Sequence, residues 1–88
     1  MHSDLYRCRV CGLEQDDPPW GEDGLVPTFE ICVCCGSEFG YEDATLAGVL
    51  RKRAAWLAAG AKWESPRFKP DGWDLNSQLD CIPIAYRK

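Results

Sequence analysis

Cys8-Arg9-Val10-Cys11-Gly12 and Cys32-Val33-Cys34-Cys35-Gly36 share the spacing Cys-x-x-Cys-Gly, with 20 residues between Cys11 and Cys32. Two residues between cysteines let the backbone turn so that both sulfurs face one ion at about 2.3 Å. A glycine after the second cysteine permits a left-handed conformation and brings amide N–H groups toward the sulfurs. Together the pairs match the pattern of a four-thiolate site, so Cys8, Cys11, Cys32 and Cys35 are the expected ligands of one structural metal ion. Zinc is the expected ion, because closed four-thiolate sites are mostly structural zinc. Iron uses the same double knuckle and stays open as an alternative. A disulfide framework or redox pair competes with both. A redox Cys-x-x-Cys should open a helix within an alternating strand–helix unit, and that context is missing here. A closed site has no open position for water or substrate, no histidine stands ready to serve a nucleophile, and no glycine-rich phosphate loop is present. The expectation is therefore a non-enzyme. Of the remaining thiols, Cys34 lies between two ligands and could compete with them, while Cys81 beside Ile82 reads as a small apolar side chain. His2, the single histidine, reads as a bystander at the terminus.

These ligands need elements to hold them. Residues 5–11 and 28–35 read as short strands running into tight turns. The loop between them holds Gln15-Asp16-Asp17-Pro18-Pro19-Trp20-Gly21-Glu22-Asp23-Gly24, dense in turn formers. The implied architecture is a small antiparallel ribbon. From Asp43, a candidate N-cap, the periodicity becomes helical and runs to Ala59, with Gly60 placed for a left-handed C-terminal residue. Leu46, Val49, Leu50, Ala54 and Leu57 form the expected buried face, and the triplet Arg51-Lys52-Arg53 reads as a solvated one. A second short helix is expected at 75–81. A closing edge strand is expected at 82–86, where Pro83 would bar it from a sheet interior. The fold class is thus a small metal-stapled α+β domain. A zinc-ribbon or rubredoxin-like double-knuckle β-hairpin fills about 1–42, and about 43–88 adds an amphipathic helix and an irregular aromatic-rich C-terminal segment.

Eighty-eight residues make a single domain whose core alone balances conformational entropy only marginally, so a metal or disulfide staple is expected. The start of the chain lacks a basic segment followed by an apolar stretch, and no run approaches the roughly 18–20 residues of a membrane span. A cytoplasmic location follows as the expectation, with thiols favoured over disulfides. The net charge of −4 conceals an asymmetry: residues 1–45 hold ten acidic and two basic side chains, residues 46–88 four acidic and eight basic. The acidic metal-binding half opposes contact with a phosphate backbone, which needs clustered cations. Trp56, Trp63, Phe68 and Trp73 then read as packing between helix and ribbon rather than as a stacking platform for single strands.

The stretch Phe29-Glu30-Ile31-Cys32-Val33-Cys34-Cys35-Gly36-Ser37-Glu38-Phe39-Gly40-Tyr41-Glu42-Asp43 resembles the bacterial cysteine-rich CPCC family, whose members carry a Cys-Pro-Cys-Cys-Gly core. Tyr6-Arg7-Cys8-Arg9-Val10-Cys11-Gly12, the run from Trp56 to Trp63, Gly72-Trp73-Asp74-Leu75 and Gln78-Leu79 extend the resemblance along nearly the whole chain. Arg9 and Val33 depart from it, standing where relatives usually have proline. The resemblance implies a small zinc-ribbon-like protein, and some such proteins resemble immunity proteins encoded beside secreted toxins. Charge adds its own argument: Glu14, Asp16, Asp17, Glu22 and Asp23 surround Trp20, an acidic rim suited to a basic toxin domain, with Trp20 reading equally as its aromatic anchor or as folding back on the ribbon. The functional expectation is a non-catalytic protein-binding module of this immunity type. A nucleic-acid-associated zinc ribbon and a rubredoxin-like electron carrier are the alternatives.

Overall fold

The structure is a computed structural model that describes residues 4–87, so His2 lies outside it. Two α-helices, α1 (Leu46–Ala58) and α2 (Leu75–Leu79), are accompanied by 3-10 turns at Asp4–Tyr6, Pro66–Phe68 and Ile84–Tyr86. The described residues contain no β-strand and no sheet. Antiparallel pairing is confined to two isolated bridges, Arg7 with Glu14 and Ile31 with Glu38.

The expected β-hairpin of an α+β ribbon is therefore corrected, and the hydrogen bonds give the reason. Residues 5–11 and 28–35 do not pair with each other. Each knuckle closes on itself: the Cys8 N–H donates to Leu13 O and the Gln15 N–H to Tyr6 O, while the Cys32 N–H donates to Ser37 O and the Phe39 N–H to Glu30 O. The intervening loop also turns inward, with the Thr28 N–H on Pro19 O and the Val26 N–H on Trp20 O. Backbone groups satisfied so locally leave nothing to extend a ladder.

Helix α1 begins one position after Thr45, whose Oγ1 accepts the Gly48 N–H at 3.0 Å. Thr45 is the cap in place of Asp43, which is fully buried and does other work described below. At the far end the Gly60 N–H reaches Leu57 O and the Ala61 N–H reaches Trp56 O, a Schellman closure with Gly60 at φ 98° as its sequence position implies. The buried stripe is Val49, Arg53 and Trp56, whereas Leu46 and Leu57 of the expected face are 41% and 38% exposed. The spacing of this stripe is helical too. A charged residue at its centre conceals it from a reading based on apolar periodicity.

Helix α2 is shorter than expected and is capped by Asp74, whose carboxylate accepts the Ser77 N–H and hydroxyl, both at 2.8 Å. The expected closing strand is instead the 3-10 turn Ile84–Tyr86 behind Pro83, with the Tyr86 N–H bonded back to Pro83 O. All these pieces surround one core. It contains Cys8, Val10, Cys11, Cys32, Cys34, Cys35, Phe39, Val49, Trp56, Ala61 and Trp63, so sulfur sits at its centre. Trp56 and Trp63 belong to this core, and Trp73 meets Trp63 edge-on at 5.6 Å, in line with a packing role for these indoles.

Candidate metal centre

In each knuckle the first cysteine's carbonyl accepts the N–H of the glycine four residues on, Gly12 on Cys8 and Gly36 on Cys32, both at 2.9 Å. Those glycines take φ of 85° and 78°, a region that costs a side-chain-bearing residue strain. Gly12 is doubly required: a Cβ there would lie 2.4 Å from Gln78 O. The two knuckles repeat the same bonds at a fixed offset and meet face to face. Their facing cross-pairs are Cys8 Sγ with Cys35 Sγ and Cys11 Sγ with Cys32 Sγ, each at 3.7 Å. The first cysteine of one unit thus opposes the second of the other, as local two-fold symmetry demands.

All four ligand atoms lie within 4.8 Å of one another and all four residues are buried. A tetrahedron with metal–sulfur bonds of about 2.3 Å has an edge of about 3.8 Å. The two cross-pairs match that edge and are far longer than a disulfide's roughly 2.05 Å. All six cysteines are free. The cluster can hold a metal ion, and among the described residues no other grouping of histidine, cysteine or carboxylate side chains does so.

Burial and mutual hydrogen bonds act together on Cys11, Cys32 and Cys35. Burial, followed by hydrogen bonds from the neighbouring sulfurs, drives the Cys11 thiol well above its ordinary range. Hydrogen bonds from Cys11, Cys35 and Cys8 lower the Cys32 pKa against the cost of burial. At Cys35 the bond to Cys11 pulls downward, but bonds to Cys32 and Cys8 and burial outweigh it, so that thiol is raised. A metal ion held by the four sulfurs would keep every coordinating thiol deprotonated.

The supports of the knuckles are the residues that sequence reasoning missed. Arg53, 8% exposed, donates from Nε to Val10 O at 2.7 Å and from Nη2 to Arg9 O at 2.9 Å and to Tyr86 O. It fastens the first knuckle to α1 and to the C-terminal turn. Burial lowers its pKa, while attraction from Cys8, Cys11 and Cys35 raises it. Gln78 Nε2 spans the units, donating to Cys11 O at 3.2 Å and Cys34 Sγ at 3.3 Å, and Trp73 Nε1 holds its other end at 2.8 Å. The second knuckle is gripped by backbone, with the Glu64 N–H on Cys34 O and the Ser65 N–H on Val33 O. Gln15 Nε2 donates to Cys32 Sγ at 3.6 Å. Cys34 is fully buried but stands outside the tetrad, and Cys81 is half-buried with its thiol on Ser77 O.

Of the acidic-loop residues, Glu14, Asp16, Asp17, Glu22 and Asp23 are exposed. Trp20 is turned inward: its Nε1 donates to Asp43 Oδ2 at 3.0 Å and the Arg9 guanidinium lies 4.1 Å from its ring centroid. Asp43 Oδ1 also accepts the Gly40 N–H at 2.7 Å, and Asp43 O accepts from Arg9. The buried carboxylate thus ties the loop to the turn after the second knuckle, and the Asp43 backbone carbonyl ties in the first. No helix among the described residues is long and apolar enough to cross a membrane.

No family model matches the chain, and no solved structure does. It is similar to the uncharacterized protein YozI of Bacillus subtilis (strain 168), with 31% identity over 83 residues covering 76% of this chain and 69% of that one. Two thirds of YozI aligned at that identity is kinship, and the chain belongs to the same family as YozI.

Proposed function

We propose that this protein is a non-catalytic module that holds one structural zinc ion at Cys8, Cys11, Cys32 and Cys35 and works by binding another protein. The observation that carries the zinc reading is the buried tetrad with its 3.7 Å cross-pairs. Four thiolates leave no vacant ligand position, so the ion would hold the two knuckles together and activate no water. The resemblance of the cysteine core to the CPCC family points the same way. Zinc is preferred to iron on the general preference of closed four-thiolate sites. Metal analysis of the purified chain with its visible spectrum tests this: a colourless protein with one zinc is expected, and a red one with thiolate-to-iron absorption would replace the zinc reading with electron transfer.

The protein-binding half of the reading draws on surface charge. Glu14, Asp16, Asp17, Glu22 and Asp23 face solvent on one loop, an arrangement that favours cationic partners and repels phosphate backbones. Neutralisation of a basic toxin domain is the specific form we favour. With Trp20 held by Asp43, such a contact would rest on the carboxylates and on apolar groups beside them rather than on the indole. Co-expression with the product of the adjacent upstream reading frame tests the toxin form: rescue of growth supports it, and an upstream product with no toxicity contradicts it.

A further inference from the structure

We infer that the cleft between the acidic loop and the second knuckle is a docking groove for a protein segment in which lysine or arginine residues flank apolar side chains. This rests on the protein-binding reading above and gives it a location. The cleft encloses about 370 Å³, within the size range of pockets that receive several side chains. Leu13, Val33 and Phe39 form its floor, and Ile31 and Phe68 wall it while 56% and 52% exposed. Exposed apolar side chains rimmed by polar ones are a feature of protein contact sites. Phe29, beside this wall, holds a left-handed backbone at φ 64°. A strained conformation at an aromatic residue fits a segment shaped for contact.

The rim determines the occupant. Glu14, Asp16, Asp17 and Glu30 line the cleft and no lysine or arginine does. Glu14 faces Arg7 at 3.8 Å, but Asp16, Asp17 and Glu30 form no ion pair with a described residue. These carboxylates do not converge on a single ion, since the cysteine tetrad is the one metal-ligating cluster among the described residues. Separate cations spread along a chain satisfy them better. Phosphate-bearing ligands are repelled by the same rim. Arg67 stacks on the Phe68 ring at 4.9 Å but is not part of the lining. An apolar floor inside an anionic rim is complementary to a basic segment with an apolar anchor.

Amide chemical shifts of the folded chain provide the test, with three synthetic hexapeptides as probes: one with paired lysines around Phe-Leu, one all lysine, and one with glutamates in place of the lysines. Saturable shifts are expected with the first peptide, confined to residues 13–17, 28–33, 39 and 68. The all-lysine peptide should bind about tenfold more weakly and the glutamate peptide not at all. Combining Asp16→Asn, Asp17→Asn and Glu30→Gln should weaken binding about tenfold or more, and Phe68→Ala about fivefold. Unchanged affinity in the triple variant would overturn the groove, as would no saturable response to the first peptide. Shifts on another face would also overturn it, yet leave the protein-binding reading in place. Self-association in sedimentation, abolished by the triple variant, would make a second copy the occupant in place of a partner.

Discussion

Each sulfur of the tetrad is buried against the other three, so replacing one leaves a defective site at the middle of the core. Cys8→Ala or Cys35→Ala should abolish tight metal binding and with it the cooperative fold, because ion binding of roughly 10–16 kcal/mol is coupled to folding in such sites. Metal content and a thermal melt measure this together. Cys34→Ala is the internal control: one ion should remain bound, with a loss of about 1–2 kcal/mol from the deleted packing and the Gln78 bond. Loss of the ion in that variant would mean that the ligand set is wrong. Arg53→Met retains much of the side chain's bulk but strips three carbonyls of their donor, and should cost about 3–5 kcal/mol. Arg53→Lys should recover only part of this, since an ammonium cannot present the guanidinium fork. Arg51→Met on the exposed face should stay within about 0.5 kcal/mol of the parent.

At the scale of elements, the glycines separate steric need from backbone need. Gly12→Ala meets Gln78 O as well as an unfavourable φ, so it should disrupt α2 and the first knuckle together. Gly72→Ala meets nothing within 4 Å and has only its φ of 73° against it, a cost of about 1–2 kcal/mol. The cap of α2 carries an acid signature. Hydrogen bonds from the Ser77 hydroxyl and then its amide lower the Asp74 pKa below its ordinary 3.8. A depressed carboxylate contributes above the unfolded pKa and loses its contribution as pH falls through the folded one. The cap is therefore fully charged near neutral pH, where Asp74→Ala should lower the melting midpoint of the metal-loaded chain; an unchanged midpoint would show that the cap does not form. The presence of both helices, the Gly60 closure and the tetrad could be read from spacing, a local signal, whereas the N-cap of α1 is Thr45 in place of Asp43. The knuckles' self-closure could not, because alternation in 5–11 and 28–35 suggests extended chain without saying where its hydrogen bonds go. Arg53 and Asp43 were misassigned for one reason: a buried charge is recognised by its partners, and those partners are distant backbone carbonyls and an indole.

For the whole molecule, the cysteines do what a larger apolar core would do in a longer chain. Five of the six lie in the central cluster, and the side chains around them—Arg53, Gln78 and Asp43—mainly bond the knuckles to everything else. Chain segments with so little regular structure need a shared anchor to stay together. If that anchor is an ion, secondary and tertiary order must disappear with it in one transition. The most direct measurement is a melt followed by circular dichroism on protein containing one zinc per chain, repeated after chelation under reducing conditions. Chelation should abolish the cooperative transition, and one equivalent of zinc should restore it. A cooperative melt with an unchanged midpoint in the chelated, reduced protein would contradict the ion's anchoring role.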